Sequence, residues 1–240
     1  MVSIFEISAV FIFLGVFSII SYKKKFLDLD GILIADAVGV ASITFGPHSV
    51  LNFIAFLAFF LIGQVASNFP KKKHERRSIR NVLGNSIPAL AMLFMIPVLP
   101  EYALVFEMGF FGAISAALAD TLSSEVGYYS KKKPRLITTM RPCKPGTDGG
   151  VTMLGEAAAL FGGIVIGLIY LSIPLLDTSV NIHPAAALVV VGAGMVGTTA
   201  DSWFGARYER KKVLNNTHVN LLGSSSGAIF ALLLGFFLVL

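Results

Sequence analysis

Residues Ala119 to Gly155 read ADTLSSEVGYYSKKKPRLITTMRPCKPGTDGGVTMLG, and this stretch separates two long apolar runs. The run before it ends in Asp120, Thr121, Ser123, Ser124 and Glu125, groups that are costly to carry out of water without partners. Six cations follow, Lys131, Lys132, Lys133, Arg135, Arg141 and Lys144, and the flexible turn from Lys144 to Gly150 then leads into the next apolar run. The pattern predicts two membrane helices joined by a loop built around an anion. Carboxylates and hydroxyls suit a hard cation, whereas Lys, Arg and free backbone N–H groups suit a phosphate.

Composition extends the membrane reading to the whole chain. Of its 240 residues, 55% are apolar and 14% charged, with a mean hydropathy of +0.77; a soluble chain of this length needs more polar surface than that. Apolar runs fall at about 4–20, 31–46, 50–67, 82–99, 103–120, 151–172, 185–200 and 220–240, each near the length of a membrane helix. The expected fold is therefore all-α: a polytopic bundle of about eight helices forming one membrane domain over 1–240, with 31–46 and 185–200 short enough to tilt or to stop part-way. The first run lacks a basic lead-in and a small-residue cleavage site, so it reads as a retained helix rather than a signal peptide. The single cysteine, Cys143, excludes an internal disulfide and reads as a bystander.

Charge supplies the orientation. All nineteen Lys and Arg residues lie in four alternate loops, 23–25, 71–80, 131–144 and 207–212, and the intervening connections hold none. The positive-inside rule then places these loops in the cytoplasm, both termini outside and an active site facing the cytoplasm. For Lys23 to Lys25, topology and attraction to lipid headgroups suffice. The 131–144 loop differs, because Pro134, Pro142, Pro145, Thr138 and Thr139 interleave its cations and give it shape.

A weak repeat points to chemistry. Ala119-Asp120-Thr121 and Ala200-Asp201-Ser202 each close a run rich in Gly, Ala and Ser, and both run from outside to inside. Small residues let helix backbones approach closely, so the two aspartates are expected at one site, with Mg²⁺ between them and substrate phosphates completing its shell. The competing reading is a pair of wetted interfacial carboxylates. On a regular helix Asp120, Ser123, Ser124 and Gly127 share a face, as do Thr121, Ser124 and Glu125, but Asp120 and Glu125 diverge by about 140°. Glu125 reaches the same ion only if the helix opens; otherwise it binds a second metal or orients a lysine.

The turn Gly146, Thr147, Asp148, Gly149, Gly150 is expected to cradle phosphate at the start of the sixth helix, although it matches neither the Walker nor the dinucleotide pattern. The plainer alternative is a turn in which Thr147 or Asp148 caps that helix. Asp28 enters the second helix, Asn85 lies in the fourth near Arg80 and Asn81, and Asn215, Asn216 and Asn220 enter the eighth; capping explains one Asx residue at each place, and three asparagines exceed that need. His218 reads as a loop histidine. Glu6, Asp36, Glu107 and Glu156 fall within apolar runs and invite a proton path, but Glu6, Glu107 and Glu156 are scattered without an inner basic partner, where packing hydrogen bonds are as reasonable.

The motifs L-D-x-x-G (27–31), R-N-V-L-G-N (80–85), A-D-T-x-x-S-E-x-G (119–127), K-P-G-T-x-G-G-V-T (144–152), A-D-S (200–202) and N-N-x-x-V-N (215–220) together resemble the integral membrane family that includes plant phytyl-phosphate kinase. The resemblance spans nearly the whole chain, and its middle motifs are the more specific. It implies a distant relation to CTP-dependent polyprenol and diacylglycerol kinases, hence a nucleoside triphosphate donor, CTP, with Mg²⁺. The expected reaction phosphorylates a prenyl monophosphate to the diphosphate, with a free prenol acceptor or a lipid or ion transporter as alternatives. Asp120 and Asp201 are assigned to metal, Glu125 to metal or a supporting position, and Arg135, Arg141 and Lys144 to phosphates. Gly146 to Gly150 are assigned to the donor, and Asp28, Asn85, Thr121, Ser124, Thr138, Asn215, Asn216 and Asn220 to substrate or nucleotide. Lys144 is expected to reach the anion in the 146–150 turn, and Lys131 to Lys133 to lie farther back in solvent. The expected partners are the nucleotide, an isoprenoid phosphate and the bilayer, with no nucleic acid and with oligomerisation left open.

Overall fold

The structure, a computed structural model of the chain, describes residues 4–24, 27–67, 79–180 and 182–238. Among them are eight long helices: α1 (Ile4–Lys24), α2 (Leu29–Thr44), α3 (Ser49–Ser67), α4 (Ile79–Met95), α5 (Ala103–Gly127), α6 (Met153–Leu171), α8 (Pro184–Phe204) and α9 (Asn216–Leu238), with a single turn α7 (Ile173–Leu176) after α6. Among the described residues, five stretches are long and apolar enough to cross a membrane: Ser49–Ser67, Pro100–Gly127, Met153–Leu176, Pro184–Glu209 and Asn216–Leu238. Leu160, Phe161 and Leu168 on α6, Leu188 on α8 and Ile229, Leu233 and Phe237 on α9 are exposed on the outside of the bundle, which is where an integral membrane protein meets lipid. The basic residues Lys25, Lys71 to Lys73, Arg76 and Arg77 lie outside the described residues, as do the side chains of Glu6, Arg80 and Asn81.

Helix α5 is the hub. Every residue from Glu107 to Ala119 is buried, as expected for a helix apolar on all sides, and α3, α4, α6, α8 and α9 pack around it. Small residues set its closest approaches. A Cβ on Gly227 of α9 would stand 2.6 Å from Ala116 Cβ and 2.9 Å from the carbonyl oxygens of Ala193 and Gly112. Only hydrogen fits there, so α5, α8 and α9 meet almost backbone to backbone.

Two helices run farther than their apolar lengths suggest. α5 continues past Asp120 to Gly127, and α8 runs past Ala200 to Phe204 and on through a π-helical turn, Gly205–Glu209. The expected short span at 185–200 is thus the start of a helix of 21 residues. The added turns carry polar residues that face a protein cavity instead of lipid, so apolar composition ends before the helix does. α2, with 16 residues, is short as expected.

The loop between α5 and α6 is folded rather than a plain basic run. β1 (Arg135–Leu136) pairs antiparallel with β2 (Gly150–Val151), and Arg135 also bridges to Pro142. Ile137 N donates to Gly149 O at 2.9 Å, Cys143 N donates to Pro134 O at 2.9 Å, and Leu136 is buried beneath the ladder. Thr152 caps α6: its Oγ1 accepts from Gly155 N at 3.0 Å and donates to Gly127 O at 3.4 Å. One side chain therefore starts α6 and ties it to the end of α5, and neither Thr147 nor Asp148 is needed as the cap.

Candidate active site at the basic end of the bundle

Ala116 of α5 touches Gly197 of α8. One turn farther along each helix, on the same face, come Asp120 and Asp201. The glycine contact thus fixes the meeting of the carboxylates, and the Asp201 side chain is in hydrogen-bonding contact with that of Asp120. Asn220 of α9 closes the third side. With its amide nitrogen turned toward acceptors, it donates to Asp201 Oδ2 and to Asn216 O at 3.2 Å each.

These residues wall a cavity of about 230 Å³. Asp120, Ser123, Ser124 and Gly127 come from α5, and Asp201, Ser202, Gly205 and Glu209 from α8 and its π turn. Lys132 and Pro145 to Gly150 come from the folded loop, and Asn216 from α9. Because α5 stays helical through Gly127, the face predicted for Asp120, Ser123, Ser124 and Gly127 is the cavity face.

The glycine turn is held there by contact with α8. Gly149 has φ +72°, and a Cβ on it would run into Ser202 O and Ala206 Cβ. Left-handed backbone and missing space both require glycine. Thr147 Oγ1 donates to Lys144 O at 2.7 Å, closing the turn upon itself. Asp148, on the same turn, brings its charge within reach of Asp201 and Glu209.

The remaining expected site residues divide. Ser124, Gly146 to Gly150, Asn216 and Asn220 join Asp120 and Asp201. Glu125 points elsewhere, its Oε1 lying 3.5 Å from Ser67 Oγ of α3; the helix does not open, so the 140° divergence stands. Lys144, Arg141 and Thr138 are exposed and off the cavity wall, and the Arg135 Nη1 donates to Met140 O at 3.0 Å. Lys132 is exposed, as expected, and also stands on the cavity wall. Pairing of Arg135 and Leu136 with Val151 and Gly150 sets Lys132 and Pro134 on the cavity wall and leaves Thr138, Arg141 and Lys144 off it. Asp28 Oδ1 accepts from Gly31 N at 2.8 Å and Asn215 Oδ1 from His218 N at 3.1 Å, so these two cap α2 and α9. Thr121 and Asn85 are buried and do not line the wall.

Glu209 and Lys132 are the main additions. The one acid in the 207–212 loop sits two turns beyond Asp201, a spacing that signals a shared face. The wall holds four carboxylates, Asp120, Asp148, Asp201 and Glu209, against one lysine. Touching carboxylates demand a proton or a cation, and an all-oxygen set fits a hard divalent ion. No group of three His, Cys, Asp or Glu side chains among the described residues converges tightly enough to hold an ion unaided. Any divalent ion here would need phosphate oxygens and water to complete its shell, the mode in which Mg²⁺ is commonly held by one or two carboxylates.

Comparison with known proteins agrees with this architecture. The chain is 35% identical over 219 residues to an uncharacterized membrane protein, MJ0933, of Methanocaldococcus jannaschii, covering 88% of this chain and 87% of that one. It is 27% identical over 222 residues to Protein VTE6, chloroplastic, of Arabidopsis thaliana, covering 86% of this chain and 65% of the plant protein. Protein PGR of the same plant is 31% identical over 214 residues, covering 78% of this chain and 73% of that one. No solved structure matches. The family described as integral membrane protein DUF92 matches residues 12–228, and the chain belongs to it.

Proposed function

We propose that this protein is a membrane-embedded phosphotransferase that moves the γ-phosphate of a nucleoside triphosphate, CTP, onto a prenyl monophosphate of the phytyl or geranylgeranyl type, giving the prenyl diphosphate. The observation that carries the reading is the contact of Asp120 with Asp201 beside a glycine turn and Lys132. The resemblance to the family that includes plant phytyl-phosphate kinase supports the choice of acceptor.

In the step itself, an oxygen of the acceptor phosphate forms a bond to the γ-phosphorus. The bond from that phosphorus to the bridging oxygen breaks, and the nucleoside diphosphate leaves with the electron pair. An acceptor that is already anionic needs no strong general base, so alignment and charge neutralisation suffice. Lys132 binds phosphate oxygens, the 146–150 turn and the hydroxyls of Ser123, Ser124 and Ser202 orient them, and Asn220 holds Asp201 in place. Asp120 and Asp201, with Glu209 and Asp148 beside them, are the groups that would hold Mg²⁺, which when bound supplies neutralisation of the phosphate charge. The prenyl chain stays in the bilayer while its headgroup reaches the polar end of the bundle.

The test is an assay of purified protein with each of four γ-labelled nucleotides against prenyl alcohol and prenyl phosphate. Label should appear in a prenyl diphosphate, most rapidly from CTP. Label in a prenyl monophosphate only would assign an alcohol acceptor, and no transfer from any donor would overturn the kinase reading.

A further inference from the structure

The opposite end of the bundle holds a second group of titratable residues that phosphotransfer does not use. His48 in the α2–α3 connection places Nδ1 2.6 Å from Glu107 Oε2, and its backbone N donates to Glu107 Oε1 at 3.0 Å. Asn52 Nδ2 of α3 donates to the same oxygen at 3.0 Å. Glu107, 1% exposed, is thus held from three directions. On the other side of the ring, His48 Nε2 faces Asp177 Oδ2 at 3.7 Å, and Asp177 belongs to the 172–183 connection between α6 and α8. Sequence alone does not pair these groups, because His48 and Glu107 are 59 positions apart in separate elements.

The geometry favours a charged ring. A neutral imidazole has one N–H. With that hydrogen on Nδ1 toward Glu107, the Nε2 lone pair would face the Asp177 carboxylate at 3.7 Å, which repels it; the imidazolium instead hydrogen-bonds Glu107 and forms an ion pair with Asp177. We propose that His48 pins a pH-sensitive latch. As an imidazolium it holds the 172–180 connection, through Asp177, against buried Glu107, and loss of its proton frees that connection over the adjoining cavity.

That cavity, about 250 Å³, is lined by His48, Glu107, Tyr170, Ser179 and His183 with apolar side chains around them. Glu107 from α5 and Asp177 from the connection flank the His48 ring, and Tyr170 from α6 and His183 just before α8 line the same cavity. His183 Nδ1 accepts from Ala185 N at 3.2 Å and serves as a cap. Burial alone would lower the His48 pKa, but the hydrogen bond and charge of Glu107, then Asp177, more than offset it and raise the pKa above its ordinary value. Asp177 is partly exposed and braced by Ser179. It is therefore the part that lets go, while Glu107 and His48 stay together.

Hydrogen exchange on the full chain in lipid nanodiscs tests the latch, read as protection factors so that the intrinsic pH dependence of exchange is removed. Protection of the 175–180 amides should fall about three- to tenfold between pH 6 and pH 9, the scale of a partly exposed ion pair. His48→Gln should leave protection low and flat. Asp177→Asn, which keeps the buried Glu107 pair, should do the same, so the test survives if His48→Gln fails to fold. His183→Gln should retain the parent profile. A flat parent profile, a pH dependence that persists in Asp177→Asn, or one that disappears in His183→Gln would overturn the latch.

Discussion

Asp120 and Asp201 lie 81 positions apart on different helices, yet each stands one turn beyond a member of the Ala116–Gly197 contact, and their carboxyls meet for that reason. A seam of small residues thereby becomes a charged site. Replacing Gly197 by Leu should separate the helices and abolish phosphotransfer even though no polar group is touched. Activity per folded molecule, after a check of monodispersity in detergent, measures this.

The two lysines of the loop have different places, and their variants should differ accordingly. Lys132→Ala removes the cation on the cavity wall and should lower kcat on the order of 10²-fold, the scale seen for other preorganised charge contacts. Lys144→Ala removes an exposed side chain off that wall and should stay within about threefold of the parent, as expected of a surface change. Steady-state kinetics with the preferred nucleotide decide. The reverse order would return the phosphate contact to Lys144.

Part of this site is legible in the amino-acid sequence and part is not. The meeting of Asp120 with Asp201 is legible because small residues precede both, and small residues have one strong use in a membrane bundle. Glu209 is hidden among the cations of Arg207 to Lys212, where an acid looks like a solvated ion-pair partner, and only the π turn carries it to the wall. Lys132 reaches the wall and Lys144 does not because the path of a loop depends on which backbone groups pair, and the Arg135–Val151 register leaves no mark on composition. Likewise hydropathy understates the length of α8, because helix continues after hydrophobicity ends.

The glycine turn predicts a contrast. Gly149→Ala meets both left-handed backbone and a collision with Ser202 O and Ala206 Cβ, whereas Gly146, at φ +80°, has nothing near its missing Cβ. Gly146→Ala should cost only about 1–2 kcal/mol of local strain with activity largely kept. Gly149→Ala should displace the turn from α8 and raise the KM for the nucleotide at least tenfold, on the order of 1.4 kcal/mol of lost binding.

Stability should depend on pH through the opposite end. The His48 pKa is raised on folding, so its contribution is complete below its ordinary value, about 6.5, and is lost as pH rises through the raised value. The Asp177 carboxyl is lowered, chiefly by its hydrogen bonds with Ser179. Its contribution is present above the ordinary carboxylate range and lost as pH falls through the lowered value. Thermal unfolding should therefore show a lower Tm at pH 9 than at pH 6 in the parent, and His48→Gln should remove most of that difference.

Orientation has its own test. With Cys143 replaced, single cysteines at Lys131 and Lys211 should react with an impermeant maleimide only from the cytoplasmic side, and a cysteine at Ser179 only from outside. Labelling of Lys131→Cys from outside intact cells would invert the arrangement and move the Asp120–Asp201 cavity away from the cytoplasm.

Transfer of labelled γ-phosphate from CTP to geranylgeranyl phosphate, measured across a Mg²⁺ titration in the parent, Asp120→Asn and Asp201→Asn, tests the central claim most directly. Mg²⁺-dependent diphosphate formation is predicted in the parent, with a loss on the order of 10³-fold or more in each folded variant. Transfer within a few-fold of the parent in both variants would contradict the claim that these two carboxylates form the phosphotransfer site.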